Sequence, residues 1–255
     1  KTIKLGRYSN FTKTDGAYIP AQNASEYATP TSITSASSYR FTEYTTIQSN
    51  AIAKNIGEFC TKTLSSGGYY IGRYEARVEN YDASNISTSN SSGSADWTGY
   101  VAESGKELKL VSKANSQVWN YVTQKKASGL CQNMYTNKPY ESDLANSYAW
   151  DTAIVFFQEF GENSNYSNKQ SVNSSLSKTG TSGTSYTGAK DEICNVYDMA
   201  SNCCENSTET CSVSDYPCPR RGGCYYNGGS YASYRNNVSK SAATAHGSFR
   251  PLLYL

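Results

Sequence analysis

Histidine is nearly absent from this chain of 255 residues, and its scarcity limits the chemistry that the protein can perform. The single histidine, His246, lies in the run "SAATAHGSF", away from any convincing nucleophile. A Ser-His-Asp triad needs a histidine beside both a nucleophile and a carboxylate, so the sequence gives such a site no support. Asp191 and Glu192 are adjacent carboxylates, which solvent usually surrounds, whereas general acid-base catalysis needs a desolvated pair.

An excess of charge of one sign and long apolar runs are also lacking. The formal net charge is +2, from 23 Lys and Arg against 21 Asp and Glu, and the basic residues are scattered. We therefore expect no nucleic-acid partner. No apolar run approaches the roughly 20 residues that span a bilayer, and the first residues, "KTIKLGRYSNF", lack the apolar core of a signal peptide. The sequence predicts a soluble chain without direct membrane insertion.

Motifs for metals and nucleotides are missing as well. Six of the eight cysteines fall between residues 194 and 224, yet no pair of them has the C-x2-C spacing of zinc knuckles. The glycine-rich stretches "SGGYYIG" and "RGGCYYNGG" fit neither the dinucleotide-binding motif nor the P-loop. We expect no metal and no cofactor. Disulfides in an exported protein and free thiols in a reducing setting both remain compatible with the sequence.

Tyrosine and small polar residues are abundant instead. The chain has 23 Tyr, many Ser, Asn, Thr and Gly residues, and only 17% charged residues. Tyrosine supplies rigid contact area at a low entropy cost, and small polar residues adapt their hydrogen bonds to a ligand, so this composition is typical of adaptable binding surfaces. A strand-rich protein with many loops and a polar exterior has the same composition.

Hydrophobic periodicity predicts three helices. Ile52, Ile56, Phe59 and Thr63 form one helical stripe, which Gly67 and Gly68 end. A second helix is predicted in "NYVTQKKASGLCQNMY", with Thr123 as its N-cap. In the third, "NSYAWDTAIVFFQEFG", Asn146 or Ser147 is the cap and Gly161 the end, and the buried stripe consists of Trp150, Ala153, Phe157 and Phe160.

The rest of the chain reads as strands and loops. Short strands and turns are predicted for residues 1–46, one strand for residues 69–79, and polar loops for residues 80–97 and 162–190. From residue 191 onward, short apolar runs alternate with Gly, Asn and Ser. Short antiparallel strands with two or three helices and long loops predict an α+β fold.

Four segments, in this order, resemble the formylglycine-generating-enzyme-like family. They are "GGYYIGRYEAR", "LANSYAWDTAIVFF", "NVYDMASNCCEN", and "RRGGCYY" with the later "GSFRPLLYL". The resemblance implies an elaborated C-type-lectin-like domain over residues 67–255. Residues 1–66 are then an N-terminal accessory segment of strands plus one helix. Three roles remain open for this segment: a cap, an oligomerisation segment or part of the same core.

A departure from the family argues against enzymatic activity. The enzymatic members of the family that this chain resembles carry a copper-binding cysteine pair after the Arg-Gly-Gly-Ser strand. The matching positions in this chain are Asn227 and about Ala232. Neither side chain supplies a thiolate. We therefore expect a non-catalytic protein, with Cys224 as a core thiol. An oxidase or metal enzyme of this family, and a fixed carbohydrate-binding lectin, remain as alternatives.

The pattern of residues 203–247 resembles the variable protein of a diversity-generating retroelement. Stretches of irregular sequence separate three intact motifs of the family framework, "YDM", "RGG" and "FRPLLY". In such proteins a reverse transcriptase randomises template adenines, and many residues at the irregular positions can be reached from asparagine codons. The resemblance implies a hypervariable protein on a phage virion, at a tail tip or fibre, or on a bacterial cell surface. Its partner is then a protein or glycan ligand on a cell surface.

A contact surface follows from the irregular positions. Tyr216, Tyr226, Tyr231 and Arg220 are the predicted anchors, because aromatic and Arg side chains dominate binding hot spots. Each tyrosine has the alternative of a half-buried strand residue. The full predicted surface is Cys204, Asn206, Val213, Asp215, Tyr216, Pro219, Arg220, Tyr226, Gly228, Gly229, Ser230, Tyr231, Ala232, Val238, Ser239, Ala242, Ala243, Ala245 and His246.

Framework residues next to this surface have a different predicted role. Arg221 and Arg250 are expected to tie loops to carboxylates or carbonyls rather than to bind ligand. Glu205 matches the fixed glutamate of the resembling family and is expected to turn inward. Gly222 and Gly223 are expected to allow a close backbone approach on their strand.

Overall fold

The computed structural model describes eleven stretches of the chain. They are residues 8–9, 12–13, 45–46, 51–53, 56–160, 175–180, 196–199, 202–210, 215–226, 232 and 235–255. Within these stretches the protein is a mixed α+β fold of three helices and small, mainly antiparallel sheets. Most of the strands and turns predicted for residues 1–46, most of the loop predicted for residues 162–190, and the predicted helix end at Gly161 lie outside the described residues.

All three predicted helices are confirmed, except that Ile52 of the first predicted stripe lies in a bend before the helix begins. Helix α1 is Ile56–Ser65, α2 is Gln124–Gln132 and α3 is Ser147–Phe160. Helix α1 ends at Gly67 and Gly68, which both have positive φ, and the Gly68 amide donates to the Thr63 carbonyl at 2.8 Å. These residues form a glycine C-cap of the expected kind.

The N-caps of α2 and α3 differ from each other. Asn146 caps α3, because its Oδ1 accepts a hydrogen bond from the Ala149 amide at 2.8 Å. Thr123 occupies the N-cap position of α2 with extended backbone but makes no side-chain cap bond. Its hydroxyl accepts from the Trp97 amide at 3.0 Å and donates to the Trp97 carbonyl at 3.1 Å instead. Thr123 therefore ties the preceding loop to the start of α2.

The strands form six small sheets in the described residues. The largest has the order β13-β12-β10-β14, in which β10 and β14 are parallel and the other pairs antiparallel. An antiparallel sheet has the order β4-β15-β9, and the two-stranded sheets are β1-β2, β3-β11, β5-β8 and β6-β7. The strands are β1 Tyr8–Ser9, β2 Thr12–Lys13, β3 Thr45–Thr46, β4 Tyr70–Ile71, β5 Ala76–Glu79, β6 Tyr81–Ile86, β7 Tyr100–Ala102, β8 Lys109–Ser112, β9 Glu141–Leu144, β10 Cys204–Asn206, β11 Glu209–Thr210, β12 Cys218–Arg221, β13 Arg235–Val238, β14 Gly247–Phe249 and β15 Pro251–Tyr254.

Two strand predictions need correction. The single strand predicted for residues 69–79 is broken into β4 and β5 by a bend at Arg73 and Tyr74, just after the Gly72 amide donates to the Pro251 carbonyl at 2.9 Å. The loop predicted for residues 80–97 contains strand β6, which pairs with β7. Its middle side chains are exposed, so backbone pairing forms this strand without the apolar alternation that reveals a strand in a sequence.

The core is divided into apolar clusters. The largest surrounds Trp119 and includes Val78, Leu144 and Phe249. Trp150 and Met199 belong to a second cluster. In a third, Phe59 of α1 packs with Leu252 and Tyr254 of β15. The described part of the N-terminal segment therefore contacts the rest of the fold directly. No helix among the described residues is long and apolar enough to cross a membrane.

Candidate functional site

The four-stranded sheet and the loops that join its strands hold the described residues of the predicted surface. In β12, Arg220 pairs with Asn206 of β10 and with Asn236 of β13, while Arg221 pairs with Glu205 and Arg235. Successive side chains of a strand point to opposite faces, so the side chains of Arg220 and Arg221 lie on opposite faces of the sheet. Both are buried, and each has its own set of partners.

Arg220 holds the loop that crosses the sheet between β13 and β14, residues 239–246 (the β13–β14 loop). Its side chain is 1% exposed. Its Nε donates to Asn206 Oδ1 at 2.9 Å, its Nη1 to Thr244 Oγ1 at 3.0 Å, and its Nη2 to the Ala242 carbonyl at 3.4 Å. A Cβ on Gly247 would lie only 2.5 Å from Nη2, so glycine is needed for this close approach. Arg220 therefore supports the loop from beneath.

Arg250 and Glu205 form a buried ion pair on the other side. Arg250 donates from Nε to Glu205 Oε2 at 2.9 Å and from Nη2 to Oε1 at 2.6 Å. It also donates to the carbonyls of Gly72 at 2.6 Å and Tyr197 at 2.8 Å. Burial raises the pKa of the Glu205 carboxyl, and the Arg250 charge opposes that rise. The inward orientation predicted for Glu205 and the structural role predicted for Arg250 are confirmed.

Arg221 and Gly222 fix the end of β12. Arg221 is buried and forms an ion pair with Asp151 of α3. Gly222 has φ of 75°, and a Cβ there would lie 2.4 Å from the Met199 carbonyl oxygen and 2.9 Å from the Trp150 ring. The predicted close backbone approach is confirmed at Gly222, and the structural role is confirmed for Arg221.

Glu75 extends the buried charge and is a residue that the sequence did not single out. Its carboxyl accepts hydrogen bonds from the Cys203 amide and from Asn202 Nδ2, both at 2.7 Å. Burial, followed by the charges of Asp198 and Glu205, raises its pKa well above the ordinary value of 4.5. Glu75 therefore keeps its proton to a higher pH than an exposed glutamate does. Its place within an ordinary strand sequence gives no signal of this environment.

Four thiols lie buried beside these charged groups. They belong to Cys203, Cys204, Cys218 and Cys224, and none of these four forms a disulfide in the structure. Burial raises the pKa of Cys203, and for Cys204 a hydrogen bond with the Cys224 thiol raises the pKa even more than burial does. The prediction of a core thiol at Cys224 is confirmed. Within the described residues no group of three or more His, Cys, Asp and Glu side chains could hold a metal ion.

An aromatic stack lies at the outer edge, next to the end of β12. The rings of Tyr226 and His246 are 4.9 Å apart and 10° from parallel, and Tyr226 is 71% exposed. Burial, followed by the charge of Arg220, lowers the pKa of His246 below its ordinary value of 6.5. The imidazole is therefore neutral at pH 7 and stacks as an uncharged ring.

Exposed residues also precede β12, at the opposite end of the strand. Tyr216 is 56% exposed, and its carbonyl accepts a hydrogen bond from Asn237 Nδ2 at 3.1 Å. Asp215 is exposed beside it, and Val238 and Ser239 are partly exposed at the end of β13. The β13–β14 loop leads from this end of the sheet to the Tyr226 and His246 stack.

The structure divides the predicted contact surface into three groups. Asp215, Tyr216, Tyr226, Val238, Ser239, Ala242, Ala243, Ala245 and His246 are exposed or partly exposed. Cys204, Asn206, Pro219, Arg220 and Ala232 are buried, which corrects the prediction, because side chains enclosed by the sheet, the loop and Trp150 offer no surface to a ligand in this conformation. Val213, Gly228, Gly229, Ser230 and Tyr231 lie outside the described residues.

Comparisons with known proteins add no relative. No protein-family model, no curated protein and no solved structure matches this chain.

Proposed function

We propose that this protein is a non-enzymatic ligand-binding protein with a C-type-lectin-like fold. Its contact surface is the exposed Tyr226 and His246 stack, the β13–β14 loop, and Tyr216 at the far end of β12. The ligand is a protein or glycan on a cell surface, and the site of display is a phage tail or a bacterial surface. A retroelement diversifies the exposed positions.

The observation that carries this proposal is the separation of exposed from buried side chains within one sheet. The arginines of β12 and Arg250 take their partners from inside the protein. The ring of Tyr226 and the alanines of the β13–β14 loop are exposed or partly exposed. Surface substitutions away from packing and capping usually change stability by no more than about 0.5 kcal/mol. The exposed set can therefore vary while the fold is kept.

The two exposed tyrosines are suited to anchor a ligand. Tyr216 and Tyr226 are 56% and 71% exposed, and they flank strand β12 in the chain, one before its start and one after its end. Aromatic side chains dominate the binding energy of many interfaces, and they lose little entropy on binding. Small alanines between them in the β13–β14 loop leave room for a ligand.

Sequencing the gene and its flanks across many cells of one lineage tests the proposal. We expect adenine-derived variation at the codons of exposed residues such as Tyr216, Tyr226 and His246, and a near-identical template beside a reverse-transcriptase gene. The codons for Glu205 and Arg221 are expected to stay fixed. An invariant segment between codons 203 and 247, with no template nearby, would overturn the retroelement part of the proposal.

Binding itself is tested with an array of cell-surface proteins and glycans. For any ligand captured, Tyr226→Ala should weaken binding by at least tenfold, as expected when a hot-spot aromatic is removed. Tyr140→Ala is the matched control, because Tyr140 is also exposed (38%) but precedes β9 rather than adjoining β12. Equal affinity for the two variants would argue against this surface.

A further inference from the structure

Two of the buried thiols, Cys204 and Cys224, lie near the same end of the ladder between β10 and β12. Glu205 pairs with Arg221, so Cys204 lies opposite Gly222. Cys224 follows Gly222 by two residues, just beyond the last printed pair of this ladder, and so lies near the same end of it as Cys204. Gly222 has no side chain to separate them.

The chain then bends so that the two thiols meet. After Gly222, with its positive φ, the Gly223 amide donates to the Met199 carbonyl at 3.3 Å and the Tyr225 amide donates to the Asn202 carbonyl at 3.1 Å. These bonds draw residues 223–225 against the segment that enters β10. The Cys224 thiol is also the largest influence on the Cys204 thiol, whose pKa it raises more than burial does.

We propose that Cys204 and Cys224 form a disulfide when the chain folds in an oxidising compartment. A thiolate of one cysteine attacks a small-molecule or protein disulfide, which releases one thiol and leaves a mixed disulfide. The second cysteine then attacks the protein sulfur of that mixed disulfide and releases the second thiol. The protein loses two electrons and two protons, and the oxidant is reduced to two thiols.

The bond forms during folding rather than afterwards. Both thiols are buried in the folded protein, and burial keeps them protonated and away from an oxidant. The Arg220 guanidinium lies near them, and its hydrogen-bond partners are uncharged amide, hydroxyl and carbonyl oxygens. A nearby cation favours a thiolate, so partly folded chains in which Arg220 has docked are the reactive species.

This disulfide would connect the two halves of the aromatic stack. The Cys204 amide donates to the His246 carbonyl at 2.9 Å, and Cys224 precedes Tyr226 by two residues. The bond would therefore hold the stack in one geometry. The disulfide itself does not rest on the proposed function, since only the thiols, the strands and the folding environment are needed.

Refolding of the Cys60→Ser chain tests the proposal, since Cys60 is exposed and would otherwise link chains together. The denatured, reduced chain is refolded with a mixture of glutathione and glutathione disulfide, alkylated and digested. We expect a cross-linked peptide pair that contains Cys204 and Cys224, and a rise in Tm of roughly 5–10 °C over the reduced protein. Refolded protein in which both thiols are alkylated would overturn the proposal.

Neighbouring Cys203 provides the matched control. Cys203→Ser should keep the cross-link and Cys204→Ser should abolish it, whereas a cross-link that survives Cys204→Ser would assign the bond to Cys203 and overturn the proposed pair. Fragmentation of the cross-linked peptide of the Cys60→Ser chain makes the same assignment if either variant fails to fold. A confirmed disulfide in a protein that captures no ligand would separate this inference from the proposed function.

Discussion

Strand β12 and the β13–β14 loop lie against each other, yet they differ in which side chains are buried: polar ones in the strand, and not even small apolar ones in the loop. In β12, Arg220 and Arg221 are buried. In the loop, Ala242, Ala243 and Ala245 are partly exposed. Hydrophobicity alone would predict the reverse. The difference teaches that the number of internal hydrogen-bond and ionic partners decides which residues this protein encloses.

The free-energy cost of a substitution should follow the same division. A buried charge that loses its partner remains desolvated without compensation, whereas a small exposed side chain loses only a few contacts. Four predictions test how far this division holds, beginning with the largest expected effect.

The Arg250 and Glu205 pair should give the largest loss of stability. Arg250→Leu leaves the Glu205 carboxyl buried without its cation, and we expect a loss of about 3–5 kcal/mol in the free energy of unfolding. Denaturant unfolding followed by circular dichroism measures this change. Lys106→Leu is the control, because Lys106 forms an exposed ion pair with Glu103 and should matter little. Equal effects of the two substitutions would contradict the distinction between buried and exposed charge.

Gly222 should be the next most sensitive position. Gly222→Ala adds a Cβ that would lie 2.4 Å from the Met199 carbonyl oxygen, at a φ of 75°, and we expect a loss of about 2–4 kcal/mol. Gly67 has almost the same φ, 68°, but nothing within 4 Å of its added Cβ. Gly67→Ala therefore measures backbone strain alone. If both variants lose the same stability in denaturant unfolding, the close contact at Gly222 contributes nothing.

The raised pKa of Glu75 predicts a dependence of stability on pH. The folded protein keeps this proton above pH 4.5 while the unfolded chain loses it, so the stability contributed by Glu75 falls as pH rises from 4.5 towards the folded-state pKa. One proton corresponds to at most about 1.4 kcal/mol per pH unit. Urea unfolding between pH 5 and 8 should show a flatter profile for Glu75→Gln than for the unchanged protein. Profiles of equal slope would show that Glu75 is ionised in the folded state.

The β13–β14 loop should give the smallest effect. Ala243→Ser changes a partly exposed side chain, and the expected change in stability is within about 0.5 kcal/mol. Ala232→Ser is its buried counterpart, since Ala232 packs beside Trp150, and it should cost more. Thermal unfolding of the two variants compares them directly. A larger loss at Ala243 would place the loop inside the cooperative core.

The sequence predicted the helices better than the strands. A helical stripe repeats over several turns, and cap residues mark its ends, which is why α1, α2 and α3 were found at their correct places. Strand β6 escaped because its middle side chains are exposed and its identity depends on pairing with β7. The break between β4 and β5 was missed because the two strands pair with different distant strands, β15 and β8, which no local pattern reports.

The candidate site was also predictable only in part, because some of its contacts join residues that are far apart in the sequence. The inward orientation of Glu205 followed from a family resemblance and is confirmed by its pairing with Arg250. The burial of Arg220 was missed, because an arginine in an irregular stretch resembles a surface residue until its acceptors are known. Those acceptors come from Asn206, Ala242 and Thr244, and the strand register and the loop path bring them together only in the folded chain.

The position of Arg250 and β15 along the chain has a genetic consequence. Both follow the stretch that we propose to be diversified, Arg250 holds Glu205, and β15 is the central strand of its sheet. An insertion or deletion of one nucleotide within that stretch would rewrite every codon after it, including those for Arg250 and Pro251–Tyr254. Such a chain would lose its ion pair and its central strand together. Chains with substituted side chains would therefore still fold, whereas chains translated in a shifted reading frame would not.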